Sequence, residues 1–361
     1  MTATSLTFRA IVTDIRKMAV TFAIALATGA LFWAVNFPAP FLMGSLFGVW
    51  VIGANMPALH PHLGVARWFH IPVVLGLGVL IGSYFNADVV SQAYRWWDTL
   101  AMMILVTLIV SSAGYLFLTR ARRYDPLMAF FCSIPGGQAE AIIIARDTVE
   151  KDYVVALFHL IRVAFVFVST PLILGLFQGA AAVAESNSQL AQMPGLFDMP
   201  ALDLVGFFTL AVSGYVIARR LRWPMPHLLG PVGASTIAHM AGIIAIPRIF
   251  EFVMLAQLAI GGAVGARLAQ VRFAELRVYL RDAALTTVMI LTLYFAAACL
   301  MTFVTGRDLL QIWLAFVPGG LYEVTLLALL FGFDIAFVAF HHTARIILIF
   351  LAMPLAVTKL K

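Results

Sequence analysis

One signature occurs twice in this chain. Pro135, Gly136 and Gly137 are followed by Glu140, His159, Arg162 and Pro171, and Pro318, Gly319 and Gly320 by Glu323, His342, Arg345 and Pro354. All seven pairs keep the same spacing of 183 residues. Chance does not hold one offset over seven unusual residue types, so the chain reads as a fused duplication. The duplicated unit is greasy yet retains internal charge, a combination typical of membrane transporters built from repeats.

Composition makes the bilayer the only adequate solvent. Of 361 residues, 63% are hydrophobic and 11% charged, where soluble domains carry about 25% charged residues. No soluble fold hides that much apolar surface. The longest polar stretch, 179–201, is too short for a globular domain, so no DNA-binding or catalytic module is expected. A net charge of +6 is read as orienting loop charge rather than a nucleic-acid surface. Cys132 and Cys299 both lie in apolar runs, which argues against a disulfide framework. Arg9, Asp14, Arg16 and Lys17 lead into a full-length apolar run without a small-residue cleavage pattern, so no signal peptide is expected.

An all-α, polytopic membrane fold follows. Apolar segments run over 19–36, 38–56, 69–85, 99–119, 127–145 and 153–178, and again over 203–218, 224–244, 248–266, 282–304, 310–330 and 335–357. The halves match elsewhere too: Pro38-Ala39-Pro40-Phe41-Leu42-Met43-Gly44 parallels Pro224-Met225-Pro226-His227-Leu228-Leu229-Gly230, and Gly78 and Gly82 parallel Gly261 and Gly265. Those glycines suit helix-packing seams better than ligand contacts. The organisation expected is a first repeat at 1–178, an extracytoplasmic linker at 179–202 and a second repeat at 203–361. If every segment crosses, the basic clusters at Arg120/Arg122/Arg123 and Arg219/Arg220/Arg222 fall on opposite faces. If each Pro-Gly-Gly segment enters and returns on one side, the basic clusters share one face. The expectation is therefore about ten crossings in an inverted 5+5 repeat, in a bacterial inner membrane, with both termini cytoplasmic.

The repeated motif carries the chemistry. Proline and glycine interrupt the helical ladder, and freed backbone groups cost several kcal/mol each in lipid unless they line a polar cavity. Pro135, Gly136, Gly137, Pro318, Gly319 and Gly320, with Arg162 and Arg345, are the candidate solute-binding residues. The restarted helices would present bare N–H groups there. Glu140 and Glu323 either complement those helix N-termini or carry a coupling proton or ion. Arg162 and Arg345 either pair with the glutamates or clamp an anion. His159 and His342 are hydrogen-bonding residues or proton relays. Neither half has dense ligand spacing such as HxxxH or ExxH, and no metal or cofactor is expected.

In order, twice, the P-x-P-x-L-x-G, P-G-G-x-x-E and H-x-x-R elements resemble the bacterial AbrB-type membrane family, which is defined by an internal duplication. It is distinct from the small DNA-binding regulator of the same name. The resemblance implies a role described either as regulation of gene expression or as ammonia monooxygenase activity. The residues themselves favour a secondary transporter of a small anionic or zwitterionic solute, with proton coupling as an option. The partners expected are lipid and a small solute, with no direct nucleic-acid contact. A membrane protein acting indirectly on gene expression is the alternative, with an ammonia monooxygenase behind it.

Overall fold

The computed structural model describes residues 8–85, 87–247, 249–272 and 276–360, and among these it is helical throughout, without a strand. The first half contains α1 (Phe8–Ala34), α2 (Pro40–Asn55), α3 (Arg67–Gly82), α4 (Ala87–Gln92), α5 (Trp97–Leu116), α6 (Pro126–Ser133), α7 (Gln138–Thr148) and α8 (Asp152–Ala191). The second contains α9 (Ala201–Arg220), α10 (Pro226–Met240), α11 (Phe250–Ala269), α12 (Arg277–Thr305), α13 (Leu309–Phe316), α14 (Leu321–Leu330) and α15 (Ile335–Leu360). Apart from the short α4, each helix of the first half has a counterpart in the second.

Local chemistry repeats with the elements. Asp125 and Asp308, again 183 apart, cap α6 and α13 by accepting from Leu127 N at 2.9 Å and from Gln311 N at 2.9 Å. A side-chain acceptor at this position satisfies an N–H that the helix cannot. Ala39 and Met225 sit at φ 49° and 45°, just ahead of Pro40 and Pro226. Non-glycine residues avoid that left-handed region, so the matched strain marks one turn built twice.

The halves do not fold side by side. Helices α1, α2 and α3 pack with α9, α10 and α11 in one bundle, while α5 to α8 pack with α12 to α15 in another. Each bundle therefore contains both repeats. In the first, α2 lies on α11 as α3 lies on α10. A Cβ on Gly261 would meet Leu42 O at 2.5 Å, and one on Gly265 would meet Leu46 O at 2.6 Å. Likewise, Gly78 abuts Leu228 O at 2.9 Å and Gly82 abuts Val232 O at 2.5 Å. These glycines thus form the packing seams. Gly265→Val is expected to destabilise the fold by about 3 kcal/mol, because a backbone oxygen cannot yield. Gly233→Ala, whose nearest neighbour is Trp223 at 3.5 Å, is expected to be neutral. Thermal midpoints in detergent compare the two.

Among the described residues, seven helices are long and apolar enough to cross a membrane: α1, α5 with its flanking turns, α8, α9, α11, α12 and α15. The shorter α2, α3 and α10 have 16, 16 and 15 residues, about 24 Å at 1.5 Å per residue. That falls below the roughly 30 Å hydrocarbon thickness. Their buried faces lie against other helices rather than lipid, which relaxes the length requirement.

The linker is more ordered than its polar sequence implies. Helix α8 breaks at Gly179 (φ 84°, ψ 169°) and resumes to Ala191. The resumed turns bury Val183, Asn187 and Leu190. Asn187 Nδ2 donates to Phe37 O at 3.3 Å, beside the first bundle, and the Ser186 hydroxyl donates to Leu330 O in the second.

Candidate functional site

Both Pro-Gly-Gly segments interrupt helix. Residues 134–137 separate α6 from α7, and 317–320 separate α13 from α14. Gly137 takes φ 59°, a conformation open to glycine at little cost. Neither α7 nor α14 has a side-chain cap at its N-terminus. The two breaks line one cavity of about 500 Å³ between the bundles.

Gly136, Gly137, Arg162, Pro318, Gly319, Gly320 and Arg345 all line this cavity, as does Glu323. Pro135 is buried behind it. His159 and His342 stand behind the arginines. Glu140 belongs to α7, but its side chain lies outside the described residues.

The second break shows what its arginine does. Arg345, 1% exposed, donates from Nη1 to Phe316 O at 2.8 Å and from Nη2 to Val317 O at 3.0 Å and Gly319 O at 3.3 Å. These carbonyls are left without helical partners where α13 ends. A guanidinium there both satisfies them and sits at the negative end of the helix dipole. No Arg345–Glu323 ion pair forms.

The histidines complete the same arrangement in each half. His342 Nε2 bonds Leu314 O at 2.8 Å, and its Nδ1 lies 2.9 Å from Arg345 Nη2. His159 Nε2 bonds Phe131 O at 3.1 Å, with Arg162 Nη2 2.5 Å from Nδ1. A guanidinium can only donate and a carbonyl can only accept. Each imidazole is therefore neutral, protonated at Nε2. Proton carriage by either ring would require its arginine to withdraw.

Glu323 curls back over the start of its own helix. A Cβ on Gly320 would collide with its carboxylate, so glycine is needed there for this pose. Oε2 is buried and has no hydrogen-bond partner. An unpartnered buried carboxylate oxygen is costly and marks a place where a proton or a donor belongs.

The cavity also collects residues that motif reasoning did not assign to it. Arg67, His70, Arg146, His227, Arg267 and Tyr322 line it. Arg146 and Arg267 look in sequence like ordinary orienting loop charges, and His227 looks like a variable position in a packing motif. Only folding brings them to one opening. His341, which has no repeat counterpart, is buried and bonded to Phe337 O at 2.8 Å and Thr99 Oγ1 at 2.9 Å, away from the cavity lining. A larger cavity, about 700 Å³, lies among Arg122, Tyr124, Lys151 and Asp282. Its charges are mixed, and Arg122 is held by Asp282 at 3.0 Å, so it lacks the unbalanced charge of the first.

The family model described as "Transition state regulatory protein AbrB" matches residues 50–361. The chain belongs to the AbrB family. It is 25% identical over 324 residues to "Putative regulator AbrB" of Escherichia coli (strain K12), covering 90% of each chain. It is 24% identical over 299 residues to "Uncharacterized protein YhjN" of Bacillus subtilis (strain 168), covering 80% of this chain and 77% of that protein. The AbrB-family match thus includes both Pro-Gly-Gly breaks and both H-x-x-R elements.

Proposed function

We propose that this AbrB-family chain is a proton-coupled secondary transporter of a small anionic solute in a bacterial inner membrane. The observation that carries the reading is the single cavity between the bundles, where two helix breaks from opposite repeats meet two buried arginines. Sites of this kind, at the junction of repeats and built from discontinuous helices, suit alternating access. One bundle shifting against the other would expose the cavity to each side in turn. Arg162 and Arg345 hold the solute with the backbone of both breaks. Glu323, with Glu140 in the other half, takes the coupling proton. Regulation, the role in the name of the Escherichia coli relative, would follow here from the solute moved rather than from contact with DNA.

An inverted 5+5 arrangement is part of the proposal. Its support is the register of the seams. Residues 261 and 265 of α11 meet 42 and 46 of α2 in the same order, so these helices run parallel, as do α3 and α10. Arg67 at the start of α3 and Arg267 at the end of α11 share the cavity mouth, so α3 runs opposite to α11 and α2. Repeat-matched helices thus point in opposite directions. Basic clusters then share the cytoplasmic face, and the cavity opens there beside Arg146 and Arg267.

Cysteines placed at 122 and 220 are expected to react with an impermeant thiol reagent from the same, cytoplasmic side; labelling from opposite sides would overturn the topology. The transport reading itself is tested by counterflow in proteoliposomes containing the purified chain. A solute that stabilises the protein should exchange across the vesicle wall, and failure of every stabilising solute to exchange would reject it.

A further inference from the structure

The cavity is electrically one-sided. Arg67, Arg146, Arg162, Arg267 and Arg345 line it, against a single described acid, Glu323. Arg146 has Asp152 at 3.9 Å, but no ion pair among the described residues engages the other four arginines. Glu323, even with Glu140 of the other half added, cannot balance four guanidiniums that shed no protons.

The inner end of the cavity has free donors on Arg162, whose Nη2 alone is engaged, by His159. Arg345 spends Nη1 and Nη2 on carbonyls and His342, and its Nε is buried out of a ligand's reach. Gly136 of the opposite break faces it, since a Cβ there would lie 3.7 Å from Nε. Arg162 and the uncapped start of α7 line the same cavity. The outer end is separate: Arg67 opens α3 and Arg267 closes α11. Positive charge therefore stands at two levels of one cavity.

We infer that the ligand is an organic anion with at least two carboxylates. One carboxylate reaches Arg162 and the α7 N-terminus, and a second is held by Arg67 and Arg267 at the mouth. This inference rests on the transport reading and narrows its cargo. A zwitterion fits poorly. Its ammonium would meet the unpaired guanidiniums, and the carbonyls of the second break are already capped by Arg345. A sodium ion is excluded from those carbonyls for the same reason. A compact phosphate can satisfy one level but not both.

The test is calorimetric titration of the purified full chain in detergent at fixed pH, with succinate, citrate, acetate, glycine and inorganic phosphate as probes. Succinate or citrate is expected to bind at least about tenfold more tightly than the other three, since it adds a charge contact at the second level that they lack. Because Arg345 also caps α13, its replacement risks the fold, so Arg67→Gln and Arg267→Gln serve as the variants. Each should weaken succinate binding about tenfold without lowering the thermal midpoint. Acetate, glycine or phosphate binding as tightly as succinate, or unchanged succinate affinity in both variants, would overturn the inference. Counterflow separates the two levels of argument. Exchange of glycine or acetate with no response to succinate sinks the dicarboxylate and leaves transport standing. Tight succinate binding without exchange supports the ligand class and removes transport.

Discussion

Arg345→Ala is expected to lower stability by about 3–5 kcal/mol. The guanidinium satisfies three carbonyls at the end of α13 and fixes the tautomer of His342. Its removal leaves Phe316 O and Gly319 O inside the protein without that donor, while Val317 O keeps the Gly319 N–H, at about 1–3 kcal/mol for each that stays unsatisfied. Relief from burying the charge offsets part of this, which is why the loss falls short of the full sum. Arg345→Lys keeps the charge but offers a single ammonium in place of a planar fork. It should recover only part of the loss. Thermal midpoints in detergent rank the three proteins. Hydrogen exchange over 314–321 should rise most in the alanine variant. Equal midpoints for wild type and Arg345→Ala would show that the carbonyls find other partners.

Glu323→Gln is expected to abolish gradient-driven accumulation while leaving exchange intact. Glutamine keeps the shape of the side chain over Gly320 but cannot gain or lose a proton in the working pH range. A coupled carrier then becomes an exchanger. In proteoliposomes, accumulation driven by an imposed pH gradient should fall at least about tenfold, matching the loss typical of a single positioned proton carrier. Counterflow at equal pH should persist. Glu140→Gln is the matching variant in the other half. Full gradient-driven accumulation in the double variant would remove both glutamates from the coupling step.

Much of the site was legible in the sequence because of its duplication. A fixed offset of 183 residues singled out the breaks, the glutamates, the histidines and the arginines without any knowledge of packing. Pro-Gly-Gly in an apolar run predicts a stop in the helical ladder, and both stops occur. The partners of the arginines were not legible. Sequence supplied an equal number of matched glutamates, and pairing them was a reasonable expectation. The unwound carbonyls at 316, 317 and 319 won Arg345 instead, because they lie one helix away and only that of 317 has another donor, the Gly319 N–H. Glu323 meanwhile folds over Gly320. The polar stretch after Gly179 reads as a loop by composition, yet contact with Phe37 and Leu330 holds its first part helical.

The sequence alone determined that the chain is a doubled, all-helical membrane protein with a broken helix in each half, because hydropathy, helix breakers and a repeat offset are local properties. Only the tertiary structure decided that the halves intertwine into two mixed bundles, that both breaks face one cavity, and that Arg67, Arg146 and Arg267 gather at its mouth. Those outcomes depend on which glycine seams close against which backbones, a choice made by contacts between residues at least 150 positions apart.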